Sequence, residues 1–136
     1  AVPLPNLSPK EAAVYSRLGR WLLPEGGPLP GHGGDGKTLA GIDGMMAGLP
    51  EGRRWLLAAL PMVFEHGTAL DHFGAARLTA MPDQEADAYL AAWAHSTSVV
   101  RAQLMAAAKA LYGFAYFERP EVLAAMQIPP HCSVVR

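Results

Sequence analysis

The sequence predicts an all-α domain, and three observations carry that expectation. Apolar residues recur at three- and four-residue spacing, as in Tyr15, Leu18 and Leu22, or Ala86, Tyr89, Leu90 and Trp93. Capping signals stand where these segments begin, and Pro or Gly stands where several of them end. No segment alternates with the period of two that a half-buried strand requires. Residues 1–136 therefore read as a single compact bundle of about six helices without internal repeats.

Residues 1–7, AVPLPNL, form an extended, Pro-rich lead-in. Ser8-Pro9-Lys10-Glu11 then opens the first helix. The serine hydroxyl can accept an orphan N–H, Pro9 suits the first helical position, and Glu11 can reach back to the cap. The stripe Ala12, Tyr15, Leu18 and Leu22, widened by Val14, Trp21 and Leu23, runs to the terminator Pro24. Residues 24–36, PEGGPLPGHGGDG, hold six Gly and three Pro without periodicity and form a loop. A weaker helix covers 37–48, with Leu39, Ile42, Met45 and Met46 on one side and Gly41 and Gly44 lowering its propensity.

Leu49-Pro50-Glu51 starts a third helix through Trp55, Leu56, Leu57 and Leu60, and Pro61 is expected to kink or break it. Gly67 and Gly74 loosen the segment after that helix. Pro82-Asp83-Gln84-Glu85 begins a fourth helix with acids in the turn where the dipole favours them. His95-Ser96-Thr97-Ser98 is a turn, and one of its hydroxyls caps a fifth helix ending near Phe117. Pro120 opens a short last helix, Pro129-Pro130 ends it, and 129–136 is a tail.

Composition narrows the function. The chain is 51% apolar and only 17% charged, with a net charge of −1. An average soluble domain carries about 25% charged residues, so this chain has apolar surface to spare for a helical core or for a partner. Its basic residues are scattered, which argues against nucleic-acid binding. The most apolar run, 102–117, is interrupted by Gln103 and Lys109, so no membrane span is expected. The single cysteine, Cys132, excludes an internal disulfide and a multi-thiolate metal site.

No motif brings a catalytic constellation together. Gly31 through Gly36-Lys37-Thr38 matches the spacing of a phosphate-binding loop, but a preceding strand and a later acid-bearing strand are missing from the pattern. His32, His66, His72, His95 and His131 are dispersed. His66 and His72 lie six positions apart, which does not place two imidazoles on one helix face as a spacing of three or four would. Glu65, Asp71, Asp83, Glu85 and Asp87 offer no convergent pair, since Glu85 and Asp87 diverge on a helix. His131-Cys132 lacks a haem-attachment pattern, and His95 beside Ser96–Ser98 reads as a capped turn. No catalytic, cofactor-binding or metal-binding residue is therefore assigned.

The aromatic residues are the remaining signal. Tyr112 and Tyr116 share one helix face, Phe114 and Phe117 another. One pair must leave the stripe set by Leu104, Ala108 and Leu111, which makes Tyr112, Phe114, Tyr116 and Phe117 candidates for a partner interface. Trp93 and Trp55 join them as large anchors. Met45, Met46, Met105 and Met126 can fill core gaps or adaptable interfaces.

Three passages resemble the gluconate 2-dehydrogenase subunit 3 family. They are LSPKEAAVYSRLGRWLLPEG (7–26), RLTAMPDQEADAYLAAWAHSTSVVRAQLMAAAKALYGFAYF (77–117) and RPEVLAAMQI (119–128). The resemblance leaves out the glycine loop and the last residues. It implies a non-catalytic small subunit that binds and stabilises or escorts the FAD-containing catalytic subunit of an oxidoreductase complex. That partner would be of the glucose–methanol–choline type, acting on an alcohol, sugar or sterol-like hydroxyl. The flavin would lie in the large subunit, and an electron-transfer cytochrome could complete the complex. The chain begins at Ala1, which fits a trimmed precursor; the resemblance implies a periplasmic location, or a cytoplasmic one if no signal was removed. The alternatives are a stand-alone small-ligand-binding protein or metal-dependent enzyme using His66, Asp71 and His72, and a nucleotide-binding domain using Gly31–Thr38.

Overall fold

The computed structural model describes residues 3–71 and 77–127. Gly74 and the tail 129–136 lie outside them. The six α-helices are α1 (Pro9–Leu22), α2 (Gly36–Gly48), α3 (Glu51–His66), α4 (Asp83–Ala94), α5 (Val99–Phe117) and α6 (Pro120–Ala125). Two short 3-10 turns, Gly67–Asp71 and Leu78–Ala80, lie between α3 and α4, and no strand occurs among the described residues. The all-α bundle is thus the one the apolar spacing predicts. No helix among the described residues is long and apolar enough to cross a membrane.

Local signals set the boundaries. At α1 the Ser8 hydroxyl accepts from Glu11 N at 3.1 Å, and Glu11 Oε1 accepts from Ser8 N at 3.0 Å, a complete capping box. Asp35 caps α2 and Ser98 caps α5, each accepting the N–H three residues on. The lead-in is fastened to α2 by a buried carboxylate. Asp43 accepts from the backbone N–H groups of Asn6 and Leu7 at 2.8 and 3.0 Å and from Asn6 Nδ2 at 2.9 Å. Tertiary contact therefore orders a stretch with little helical or strand propensity of its own.

Pro61 does not break α3, which runs from Glu51 to His66 with the proline inside it. Proline removes the N–H that would bond the carbonyl four residues earlier, here that of Leu57. The Tyr15 hydroxyl on α1 donates to that same carbonyl. Burial pushes the phenol's pKa up, so it keeps its proton and remains a donor. Tyr15→Phe is therefore expected to lower stability by about 1–2 kcal/mol in urea unfolding, because it leaves a part-buried acceptor unpaired.

The core sits where α1, α3, α4 and α5 meet over α2. Val14, Tyr15, Leu18, Ile42, Phe64, Leu78, Tyr89 and Ala108 are fully buried. The stripe Ala86, Tyr89, Leu90 and Trp93 expected for α4 is buried at all four positions. Side chains of this size contribute roughly 1.5–3 kcal/mol each when fully buried. α2 approaches α5 closely because Gly41 has no side chain: a Cβ there would lie 3.2 Å from that of Ala115. Gly44, also in α2, meets nothing within 4 Å. Gly44→Ala is accordingly expected to raise the unfolding free energy by about 0.5–1 kcal/mol, read as a higher denaturant midpoint.

Candidate functional site

The densest polar cluster joins the glycine loop to the start of α6. Asp35 lies at the N-terminus of α2, where its carboxylate accepts from Thr38 N at 3.0 Å and His32 N at 3.3 Å. The Arg119 guanidinium, largely buried, donates from Nη1 to both Asp35 oxygens at 2.9 Å and to Thr38 Oγ1 at 3.1 Å. Its Nε and Nη2 donate to Glu121 Oε1 at 2.9 and 2.7 Å, and Lys37 Nζ reaches that same oxygen at 3.3 Å. Two cations thus face two anions, and Arg119 also lies 5.3 Å from the centre of the Tyr116 ring.

The geometry sets the electrostatics. Burial alone would raise the pKa of Asp35, but the Thr38 N–H and Arg119 outweigh it and hold the carboxyl below its usual range. Glu121 is pushed down to about 2 by its own backbone N–H and by Arg119. Burial would lower Arg119, whereas its bonds to Glu121 and Asp35 raise it. Asp35, Arg119 and Glu121 are thus held in their charged, mutually bonded forms, so the cluster works as a clasp.

The glycines of the loop serve packing. Gly33 N donates to Leu23 O at 2.8 Å, and Ser16 Oγ donates to Gly34 O at 2.8 Å, which seats the loop on α1. A Cβ on Gly19 would lie 2.1 Å from Gly33 O, and one on Gly34 would lie 2.1 Å from Ser16 O. Gly31 has a φ of +68°, which suits glycine. The phosphate-loop spacing of Gly31–Thr38 thus corresponds to a structural seat. A phosphate at the start of α2 would meet the Asp35 carboxylate, and Thr38 is buried while Lys37 pairs with Glu121.

The other titratable candidates do not converge. His66 is exposed at the end of α3, and His72, the Asp71 side chain, His131 and Cys132 lie outside the described residues. Glu65 is buried and accepts from Thr79 N and Oγ1 at 2.8 Å each, fixing the second 3-10 turn. Arg17 donates to Met81 O at 2.7 Å and pairs with Asp83 at 3.2 Å, while Glu85 and Asp87 stay exposed. No group of three or more metal-ligating side chains occurs among the described residues.

The aromatic candidates separate cleanly. Tyr112, Tyr116 and Trp93 are core residues, which corrects their assignment to a partner interface. Tyr112 donates to Tyr15 O and Tyr116 donates to Pro30 O at 2.7 Å, so both hydroxyls fasten the bundle. Trp93 stacks on Phe64 with ring centres 4.5 Å apart. Phe114 is 60% exposed and Trp55 62% exposed, while Phe117 is half-buried against Tyr116. The outward pair is therefore Phe114 and Phe117.

Other large apolar side chains are also left in water. Leu56 and Val63 on α3, Val99 and Val100 on α5, and Met126 are all exposed. Val63 and Val100 line one groove of about 380 Å³ between the two helices. Between Val99 and Phe114 the outward side of α5 exposes Ala102, Gln103, Ala106, Ala107 and Ala110, with Lys109 as its one exposed charge. Sequence reasoning found Trp55 and Phe114 but missed Val99 and Val100, which stand outside the core stripe at the start of α5. A second, larger groove of about 860 Å³ lies between α1 and α4. Comparison with protein-family models, curated proteins and solved structures gives no match to this chain.

Proposed function

We propose that this chain is a non-catalytic small subunit that binds, and stabilises or escorts, the FAD-containing catalytic subunit of an oxidoreductase complex. The partner would be a glucose–methanol–choline-type flavoprotein acting on an alcohol, sugar or sterol-like hydroxyl. The complex would work in the periplasm, with an electron-transfer cytochrome as a further member. One observation carries the docking role: large apolar side chains on α3 and α5 stand in water beside a nearly uncharged helix face. Exposed apolar surface of this kind marks interaction sites, and tryptophan and phenylalanine are favoured anchors there. The resemblance of 7–26, 77–117 and 119–128 to the family's small subunits supplies the partner's chemistry.

Binding would contribute part of the chain's apparent stability, since a partner that binds only the folded form shifts the unfolding equilibrium. Co-expression with a glucose–methanol–choline-type flavoprotein from the same cells tests the reading. The double variant Trp55→Glu/Phe114→Glu should keep the helical circular dichroism of the parent yet lose co-elution with flavin absorbance. Co-elution unchanged from the parent chain would remove these side chains from any docking role.

A further inference from the structure

The groove between α3 and α5 contains a buried hydrogen-bond donor that nothing among the described residues satisfies. Trp93 lines the groove and is only 3% exposed, and its indole Nε1 meets no acceptor. A buried indole N–H ordinarily finds a partner, because leaving it unpaired costs free energy. Every other buried side-chain nitrogen or oxygen among the described residues has one.

The edge that carries this donor faces the groove's lining. Phe64 packs against the ring with centres 4.5 Å apart, and the Arg101 guanidinium stands over it at 5.1 Å. Cζ2, on the same edge as Nε1, lies 3.3 Å from where a Cβ on Gly67 would be. Gly67 lines the groove too, and Val63, Val100 and Leu104 make its apolar wall. Ser98 and Val100 bring the start of α5 into the same lining, where backbone N–H groups lack intrahelical partners. The Ser98 hydroxyl already accepts from Arg101 N. No carboxylate lines the groove, and the first turn of α5 has no acid.

We propose that this groove binds a small apolar carboxylate, with a medium-chain fatty acid as its simplest form. One carboxylate oxygen accepts from Trp93 Nε1, and the tail lies along Val63, Val100 and Leu104. An ionised carboxylate only accepts hydrogen bonds, and the positive end of the α5 dipole favours an anion. The volume of about 380 Å³ lies at the lower end of the range for small-ligand pockets. Nε1 is covered in the free chain, so the headgroup reaches it as the exposed Val63 and Val100 side chains turn aside. The site does not rest on the accessory-subunit reading, and neither Trp55 nor Phe114 lines it.

The test titrates octanoate into the isotope-labelled full chain and follows the Trp93 indole N–H by NMR. Saturable binding should move that resonance downfield while those of Trp21 and Trp55 stay in place. Trp93→Phe identifies the resonance, keeps an aromatic body and removes the donor, and should weaken octanoate binding about ten-fold. Octanol, which lacks the anionic headgroup, should bind the parent chain at least about ten-fold more weakly than octanoate. Val100→Trp, at an exposed position, should fill the groove and abolish binding with helical circular dichroism unchanged. No movement of the Trp93 resonance at millimolar octanoate, or equal affinity for octanol, would overturn the proposal. Parent-like affinity in either variant would overturn it as well. The flavoprotein takes no part in the measurement, so either result leaves the accessory-subunit reading as it stands.

Discussion

Arg119→Ala is expected to lower the unfolding free energy by about 3 kcal/mol, measured by urea denaturation. The guanidinium is largely buried and holds Asp35, Thr38 and Glu121 together. Its removal leaves the Asp35 carboxylate at the start of α2 without its cation. The loss sits at the low end of the range for broken buried pairs, because Asp35 keeps its bonds to Thr38 N and His32 N. Lys37→Ala should cost no more than about 0.5 kcal/mol, since that ion pair is solvent-exposed. Acid titration gives a second readout. Asp35 and Glu121 both have folded pKa values below their ordinary ones. Their stabilisation is complete above the ordinary carboxylate range and is lost as pH falls through the folded values. For Glu121 that window runs from 4.5 down to about 2. Stability of the parent chain should fall across it, and the decline should be shallower in Arg119→Ala.

Gly19→Ala is expected to be of comparable size, at about 3 kcal/mol, although alanine is the better helix former. The added Cβ would lie 2.1 Å from Gly33 O and 2.6 Å from Tyr112 Cε1. The first of these is backbone, so the loop must lift from α1 to make room. Lifting it would strain the Gly33 N to Leu23 O bond and the Ser16 bond to Gly34 O. Because Gly44→Ala adds the same methyl group in open space, the pair separates close approach from helix propensity. Similar effects at both positions would contradict the packing of the glycine loop against α1.

The sequence made the helices legible because their signals are local. Ser8 and Glu11 announce the start of α1 within four residues, and Ala86, Tyr89, Leu90 and Trp93 announce the buried face of α4. Pro61 is the complementary case: the hydroxyl that satisfies Leu57 O comes from Tyr15, 42 residues earlier. The clasp was missed likewise, since Arg119 and Asp35 are 84 positions apart and neither residue marks the other. Periodicity separated the pair Tyr112 and Tyr116 from the pair Phe114 and Phe117. It could not say which faced inward, because that depends on acceptors at Tyr15 O and Pro30 O in other segments. A phenol that finds a carbonyl inside the fold can be buried, and a helix with one face so anchored turns its phenylalanines outward.

The central claim is that the exposed apolar side chains of α3 and α5 are covered by a flavoprotein. Light scattering with simultaneous flavin absorbance, on the chain isolated from its own cells at native abundance, tests this most directly. The account predicts one species in which this chain and a larger FAD-containing chain elute together in fixed proportion. A flavin-free species with the mass of the single chain would contradict it.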